Sequence, residues 1–189
     1  MIIGITGGIG SGKSTIAREL AKQGFVIYDC DREAKRIIAE DREVRKAIVA
    51  LLGDEAFANG KYNTQYVAKR VFKDADLLKK LNAIVHPAVK NDIIVKQPDF
   101  VESAILYEAG LDEICEKVIE VDAPEDVRIA RTISRDYHGE ASDENINKVR
   151  ARIRTQEAIS NQNSAVRFVV NNDGKTDIAD IVTKITHWM

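Results

Sequence analysis

The chain has 189 residues, of which 44% are hydrophobic and 31% are charged, and its formal net charge is −2. This composition is typical of an ordinary globular domain, and the chain is long enough to bury its own core without a disulfide or a metal. The nearly balanced charge argues against a general nucleic-acid or membrane binder, because such proteins are usually basic overall. We therefore expect one domain over residues 1–189 that binds neither nucleic acid nor a membrane.

The first predicted elements are two strands that flank a helix. The apolar run MIIGIT, residues 1–6, is typical of a strand buried on both faces. Residues 13–23 predict a helix, because Gly24 stands just past its expected C-terminus. The sequence FVIYD, residues 25–29, predicts a second strand.

Helical patterns dominate the next part of the chain. They cover residues 31–96, with one break in the sequence GDEAFANGKYN and another at His86-Pro87. Two further strands are predicted over residues 99–106 and 117–123. The helical region, about residues 31–98, lies outside a simple alternation of strands and helices.

The C-terminal part is predicted to contain a polar segment between two strands. Pro124 opens a helix at a first-turn position, where its missing N–H costs little. A second helix with few apolar residues is predicted over residues 143–159, and the whole polar segment covers about residues 124–164. A last strand over 167–172 and an amphipathic helix over 176–188 complete the chain.

The alternation of strands and helices predicts an α/β fold with a five-stranded, mostly parallel sheet and helices on both faces. The two cysteines, Cys30 and Cys115, have no metal-ligand spacing and are expected to be free thiols of a reducing cytosol. The first residues lack a charged signal region, and no apolar run approaches 18 residues. We therefore expect a cytoplasmic protein.

A glycine-rich loop between the first strand and the first helix predicts a phosphate site. Residues 7–14, here called the phosphate loop, fit the pattern G-x-x-x-x-G-K-[ST] of P-loop NTPases. Lys13 would reach the β- and γ-phosphates, and the Ser14 hydroxyl would ligate Mg²⁺. A dinucleotide fingerprint is excluded, because its third glycine would fall at Lys13. The residues expected to bind the nucleotide are Gly7, Gly8, Gly10, Ser11, Gly12, Lys13, Ser14 and Thr15.

The pattern alone does not separate GTPases, motor ATPases and small-molecule kinases. A guanine-reading motif is absent from the sequence, because the nearest stretch, GKTD at residues 174–177, has Gly where Asn is needed. That stretch is interpreted as a turn in which Thr176 or Asp177 caps the last helix. Because this loop follows the last strand, it could still line the adenine pocket, and the nearby Asn172 is included among the residues expected to bind the nucleotide.

Two features favour a kinase. Asp29 and Asp31 follow the second strand at the carboxyl edge of the sheet, where a carboxylate can accept the proton of an attacking hydroxyl. One of the two aspartates could instead cap the next helix, and the sequence does not decide which is nearer the hydroxyl.

The second feature is a row of arginines. Arg128, Arg131 and Arg135 share one helix face at i, i+3 and i+7. A solvated charged face is the plain alternative, but next to a phosphate loop the row favours a closing lid that excludes water.

The chain resembles the dephospho-coenzyme A kinases over nearly its whole length. The resemblance rests on GITGGIGSGKST, Asp29 and Asp31, LNAIVHP (81–87), AILYEAGL (104–111), RTISRD (131–136), Gln156 and NNDG (171–174). It implies transfer of the γ-phosphoryl group of ATP to the ribose 3′-hydroxyl of dephospho-coenzyme A, the last step of coenzyme A synthesis. The expected small-molecule partners are therefore ATP, Mg²⁺ and dephospho-coenzyme A, bound by a monomer or a small homo-oligomer.

Roles for individual residues are also implied by the resemblance. Asp31 would be the general base, with the Thr6 hydroxyl beside it. Arg131 and Arg135 would be lid arginines that contact the phosphates. The region of about residues 31–98 would bind the acceptor, and Glu102 replaces an aspartate that could contact magnesium through water. The residues expected to bind the acceptor are Asp29, Asp31, His86 and Glu108.

Two other functions remain open at this point. A nucleoside or nucleotide kinase would share the same fold and the same phosphate loop. A nucleotide-dependent regulator would bind ATP or GTP without acceptor-dependent release of ADP. The paired aspartates and the arginine row argue against the regulator.

Overall fold

The computed structural model describes residues 1–157 and 166–189. The strands, in chain order, are β1 (Ile3–Thr6), β2 (Ile27–Asp29), β3 (Phe57–Ala58), β4 (Lys61–Tyr62), β5 (Phe100–Glu102), β6 (Lys117–Asp122) and β7 (Val166–Asn171). The helices are α1 (Lys13–Lys22), α2 (Cys30–Glu40), α3 (Arg42–Leu52), α4 (Thr64–Val71), α5 (Ala75–Lys96), α6 (Glu125–Asp136), α7 (Asp143–Glu157) and α8 (Ile178–Trp188). None of these helices is long and apolar enough to cross a bilayer.

The chain divides into two units, Met1–Tyr28 with Pro98–Met189 and Asp29–Gln97. The first unit contains a five-stranded sheet in the order β2-β5-β1-β6-β7. The central strand β1 is buried along its whole length and pairs in parallel with β5 and with β6. The pairing of β6 with β7 is also parallel. The predicted α/β fold is therefore confirmed, and the C-terminal ends of these strands lie at one edge of the sheet.

One face of the sheet is covered by α1 and α8. Ile16 and Leu20 of α1 and Ile181 and Ile185 of α8 are buried in one cluster with the inward side chains of the strands. These positions repeat every four residues, so each helix presents one apolar stripe to the sheet. This layer fixes the start of α1, and with it the phosphate loop, against β1.

The opposite face of β1 is covered by the segment that follows β5. A Cβ on Gly4 would lie 2.7 Å from a methyl group of Leu106 and 3.3 Å from Cys115 Sγ. The strand predicted over residues 99–106 is therefore wrong beyond Glu102, because the chain turns at Ser103 and folds Leu106 onto Gly4. Both cysteines are free thiols as predicted, and burial raises the pKa of Cys115 to about 12.

Helices α6 and α7 form a pair with a small core of its own, in which Ile129 and Ile133 pack with Val149 and Ile153. The helix predicted over 143–159 is described as far as Glu157. Residues 158–165 lie outside the described residues. They include the C-terminal end of the predicted lid, which is the polar segment of about residues 124–164.

The second unit consists of α2 to α5 and a short hairpin. The predicted break at GDEAFANGKYN is confirmed, because it holds the antiparallel pair β3 and β4. The predicted break at His86-Pro87 is wrong, because Pro87 lies inside α5, which is 22 residues long and uninterrupted. Proline removes one helical hydrogen bond. Burial of Leu81, Val89 and Ile93 on both sides of it keeps the helix continuous.

An ion-pair network joins α2 to α5 within this unit. Glu33, which is only 8% exposed, accepts hydrogen bonds from Lys96 Nζ at 2.7 Å and Arg36 Nε at 2.8 Å. Asp92 accepts from the same two side chains, at 2.9 Å and 2.8 Å. These hydrogen bonds, first that of Lys96 and then that of Arg36, lower the pKa of Glu33 to about 2.

We expect Glu33→Gln to lower the free energy of unfolding by about 2 kcal/mol at pH 7, because the partly exposed cations Arg36 and Lys96 lose the buried carboxylate that they share. Since the pKa of Glu33 is lowered from 4.5 to about 2, its contribution is complete above pH 5 and is lost as the pH falls from 4.5 towards 2. The difference between the two proteins should therefore shrink in that range. Urea denaturation followed by circular dichroism at pH 7, 4 and 3 measures it.

Glu43→Gln is the matched control, because the Glu43–Lys46 ion pair has the same spacing but is exposed. It should change the free energy of unfolding by no more than about 0.5 kcal/mol. Equal effects of the two substitutions at pH 7 would contradict the role of the buried network.

Candidate active site

The phosphate loop connects β1 to α1 and needs glycine at two points of its backbone. Gly10 and Gly12 have φ angles of 75° and 90°, in the left-handed region where other residues are strained. A Cβ on Gly10 would overlap the backbone of Arg128, and one on Gly12 would overlap the side-chain amide of Asn172. The glycine spacing is therefore required both by the shape of the loop and by the groups packed behind it.

The N-terminus of α1 is open for an anion. Gly12 is its N-cap residue and offers no side-chain hydrogen bond, and no acidic residue lies in the first turn. The first N–H groups of a helix have no partner within the helix, and its dipole favours negative charge at that end. Lys13 and Ser14 are the first two residues of this turn. These groups fit the phosphates of a nucleotide.

Ser14 and Glu102 form an oxygen pair beside this helix end. Ser14 Oγ donates a hydrogen bond of 2.6 Å to Glu102 Oε1, and Glu102 is the last residue of β5. No group of three or more His, Cys, Asp or Glu side chains that could hold a metal occurs in the described part of the chain. Mg²⁺ takes oxygen ligands and usually needs only one or two from the protein, completing its shell with phosphate and water. The pair therefore fits Mg²⁺ together with a nucleotide.

The carbonyl side of the loop is held by Arg131 and Asn172. Arg131 Nη1 donates to the carbonyl oxygens of Gly10 and Ser11 at 3.3 and 3.1 Å. Its Nη2 donates to Asn172 Oδ1 at 3.1 Å, and Asn172 Nδ2 donates to the Ser11 carbonyl at 2.9 Å. Asn172 is 1% exposed. The structure thus brings these two predicted site residues together on the loop, while contact of Arg131 with phosphate stays a prediction.

Arg135, the other predicted lid arginine, lies near the end of α6 and is largely exposed. It makes two hydrogen bonds to the carboxylate of Asp136, at 2.6 and 3.1 Å, and Arg152 of α7 donates to the same carboxylate at 2.9 Å. Hydrogen bonds from Arg135 and then Arg152 lower the pKa of Asp136 to about 2. The contact of Arg135 with phosphate also stays a prediction.

Arg128 and Gln156 contact the loop directly, although neither was among the predicted site residues. Arg128 Nε donates to the carbonyl oxygen of Ile9 at 3.0 Å, and Gln156 Oε1 accepts from the N–H of Ile9 at 2.7 Å. The arginine spacing placed Arg128 on the same face as Arg131, and Gln156 was part of the family resemblance. These two signals could have identified Arg128 and Gln156 as site residues. Neither signal indicates that the two side chains bind the backbone of Ile9.

A cavity of about 250 Å³ opens beside the loop in the first unit. Of the predicted catalytic and acceptor-binding residues, Thr6 and Glu108 line it. Its far wall carries Tyr107, whose hydroxyl donates to Glu120 Oε1 at 2.5 Å, and Arg167, which donates to the same oxygen at 3.0 Å. Burial, and next the hydrogen bond to Glu120, raise the pKa of Tyr107. The tyrosine is therefore a fixed hydrogen-bond donor to Glu120. The other lining residues are Gly7, Gly8, Ala104, Val121, Asp122, Arg128, Gln156 and Val169.

Three predicted acceptor-site residues belong to the second unit. Asp29 is the N-cap of α2, and its carboxylate accepts a hydrogen bond of 3.0 Å from the N–H of Arg32, so it fulfils the capping alternative. Asp31 lies in the first turn of α2 and is exposed. His86 lies in α5, and burial lowers its pKa, so the ring is neutral at pH 7. Their contact with an acceptor stays a prediction.

Comparison with known proteins decides the family. A sequence model of the dephospho-CoA kinase family matches residues 1–177. The dephospho-CoA kinase of Porphyromonas gingivalis is 41% identical over 71% of this chain and 69% of its own length. That of Fusobacterium nucleatum is 33% identical over 98% of this chain and 95% of its own length. The chain belongs to the dephospho-CoA kinase family. This family phosphorylates dephospho-CoA with ATP in the last step of CoA biosynthesis.

Solved structures show the same fold. TT1252 from Thermus thermophilus superposes with a TM-score of 0.78 at 29% identity, covering 100% of this chain and 96% of that one. A dephospho-CoA kinase from Campylobacter jejuni gives 0.67 at 22% identity, covering 98% and 95%. Shikimate kinase from Acinetobacter baumannii gives 0.57 at 17% identity, covering 99% and 91%. The last two identities are low enough to show the fold alone, which is the predicted P-loop kinase fold.

We expect Asn172→Ala to weaken ATP binding by about ten-fold and to lower the free energy of unfolding by about 1–3 kcal/mol. The substitution leaves Arg131 and the Ser11 carbonyl without the buried amide that joins them. Isothermal titration with ATP and urea denaturation measure the two effects.

Asn171→Ala is the matched control, because the neighbouring asparagine is exposed. It should leave both quantities nearly unchanged. Unchanged ATP affinity in Asn172→Ala would show that the loop keeps its shape without this contact.

Proposed function

We propose that this member of the family transfers the γ-phosphoryl group of ATP, bound with Mg²⁺, to the 3′-hydroxyl of the ribose of dephospho-CoA. The products are CoA and ADP. The observation that carries the proposal is the uncapped start of α1 behind the glycine loop, with Ser14 hydrogen-bonded to Glu102 at 2.6 Å beside it. This arrangement offers N–H groups, a lysine and oxygen ligands where a triphosphate with its metal needs them.

The transfer itself requires a proton acceptor and compensation of charge. The 3′-oxygen forms a bond to the γ-phosphorus while the bond from that phosphorus to the β–γ bridging oxygen breaks, so ADP leaves with the electron pair. We assign acceptance of the hydroxyl proton to the carboxylate of Asp31, with the Thr6 hydroxyl as a further polar group at the end of β1. Lys13, Arg131 and Arg135 are the proposed cations that offset the charge of the migrating group.

Magnesium is proposed to be held by the Ser14 hydroxyl and, through water, by Glu102. When bound, the metal would neutralise part of the charge of the phosphate oxygens. The hydrogen bond to Glu102 orients the Ser14 oxygen, which is the usual effect of a carboxylate behind a metal ligand. Asn172, at the end of β7, is proposed to lie on the adenine side of the nucleotide.

A nucleoside or nucleotide kinase is the second candidate, because shikimate kinases and other small-molecule kinases share this fold. The two candidates differ only in the acceptor. Glu108, Asp29 and His86 are the residues that we propose for recognition of dephospho-CoA.

We expect ADP release to depend on dephospho-CoA, and to remain near background with AMP, CMP, adenosine or shikimate as acceptor. The product should match CoA by mass and by co-elution, since a phosphate on another hydroxyl would have the same mass but another retention time. EDTA should abolish the reaction, and excess Mg²⁺ should restore it.

Turnover of a nucleoside or of AMP at a rate similar to that of dephospho-CoA would favour the second candidate. ATP binding without acceptor-dependent ADP release would indicate a regulator.

We expect Asp31→Asn to lower turnover by at least about ten-fold, because general-base catalysis contributes about 10² to 10⁴. The melting temperature should stay unchanged, since Asp31 is exposed. Steady-state kinetics with dephospho-CoA measures the effect.

Asp29→Asn is the matched variant, because asparagine caps a helix as well as aspartate does. Because Asp29 is proposed to bind the acceptor and not to take its proton, turnover at saturating dephospho-CoA should stay within about two-fold of the parent. The reverse pattern would assign the proton acceptance to Asp29, and small effects of both substitutions would remove both residues from this role.

A further inference from the structure

The backbone of Ile9 is held at both of its polar atoms by the α6–α7 pair. Its N–H donates to Gln156 Oε1 at 2.7 Å, and its carbonyl oxygen accepts from Arg128 Nε at 3.0 Å. Ile9 lies within the phosphate loop, between Gly8 and Gly10. The N–H and the carbonyl belong to the two consecutive peptide units on either side of the Ile9 Cα, so each of these two peptide planes is fixed by one hydrogen bond.

The same two side chains also line the cavity beside the loop. Gln156 and Arg128 share the walls of this cavity with Thr6, which is proposed for the reacting centre, and with Glu108, which is proposed for recognition of the acceptor. Arg128 is 5% exposed, and a Cβ on Gly8 would overlap its guanidinium. A group that enters the cavity thus meets the side chains that hold the loop.

Helices α6 and α7 are joined by a common apolar core and by an ion pair. Ile129 and Ile133 pack with Val149 and Ile153 in a common core. Arg150 donates to Glu125 at 2.8 Å near one end of the pair. A shift at Gln156 is therefore transmitted through packed side chains to the rest of the pair and to the loop.

We propose that Gln156, with Arg128, is a positioning residue that couples the cavity to the phosphate loop through the backbone of Ile9. An acceptor in the cavity fixes Gln156, Gln156 fixes Ile9, and the loop is then ordered for ATP. By linkage, ATP must strengthen acceptor binding by the same factor. The inference rests on the proposed function, because it takes dephospho-CoA as the occupant of the cavity.

Gln156→Met tests the coupling, because it keeps the length of the side chain and removes the acceptor oxygen. The dissociation constant of a β,γ-imido analogue of ATP is measured by titration calorimetry with and without saturating dephospho-CoA. The parent should bind the analogue about three- to ten-fold more tightly with dephospho-CoA present, the range that one hydrogen bond supports. In Gln156→Met this ratio should fall to about one.

Gln156→Glu is the rescue variant, since its carboxylate can still accept from the Ile9 N–H, and it should recover most of the ratio. Thr155→Val is the matched control, because Thr155 is exposed and its hydroxyl donates within its own helix to the Ala151 carbonyl. It should keep the ratio of the parent. Thermal denaturation of all variants shows that each is folded.

Amide hydrogen exchange at Ile9, followed by NMR without any acceptor, gives a second readout that does not depend on the kinase reaction. The exchange rate should rise about ten-fold in Gln156→Met and stay near that of the parent in Gln156→Glu and Thr155→Val. The inference would be overturned if dephospho-CoA did not tighten binding of the ATP analogue to the parent protein. It would also be overturned if the affinity ratio stayed unchanged in Gln156→Met, or if Gln156→Glu did not restore the ratio. Failure of the proposed function would instead be seen as absence of turnover of dephospho-CoA by the parent.

Discussion

The proposed chemistry depends on how the carbonyl oxygens of the phosphate loop are held from behind. Arg131 and the Asn172 amide both donate to the Ser11 carbonyl, and Arg128 donates to that of Ile9. A peptide plane whose carbonyl is fixed on one side must direct its N–H to the other. These three side chains therefore do more than pack against the loop. They set the direction of the donors that a phosphate would meet, and they do so with hydrogen bonds to charged or buried groups, which are the stronger kind.

The elements with local signals could be predicted from the sequence, and the contacts between distant elements could not. The strand, loop and first helix were predicted correctly because glycine spacing, buried strand pattern and helix end lie within 24 residues. Continuation of α5 through Pro87 was missed, because burial on both sides of the proline outweighs a local signal. Gln156 binds a residue 147 positions away, and no periodicity reports such a pair. The sequence thus indicates which residues to consider for the site, but not the hydrogen-bond partners of their side chains.

The arginine row of α6 also shows that a sequence pattern does not indicate which distant group each side chain contacts. Spacing of three and seven residues correctly places these side chains along one helix face, but each has a different task. Arg128 is buried against the Ile9 carbonyl, Arg131 joins the loop to Asn172, and Arg135 binds the carboxylate of Asp136. The solvent exposure of these arginine side chains increases from the start of α6 to its end. The first two arginines therefore stabilise the loop, while contact of the third with a phosphoryl group stays a prediction.

The family resemblance implies an aspartate at position 102, and the effect of the glutamate found there follows from its contact with Ser14. β5 ends at Glu102, and its longer side chain reaches Ser14 Oγ across to α1 at 2.6 Å. The serine hydroxyl has one proton and two lone pairs. With the proton directed to Glu102, both lone pairs face away from the carboxylate and are available to a cation. If Mg²⁺ binds at Ser14 as proposed, the Glu102 carboxylate would supply negative charge beside it and would orient the Ser14 hydroxyl.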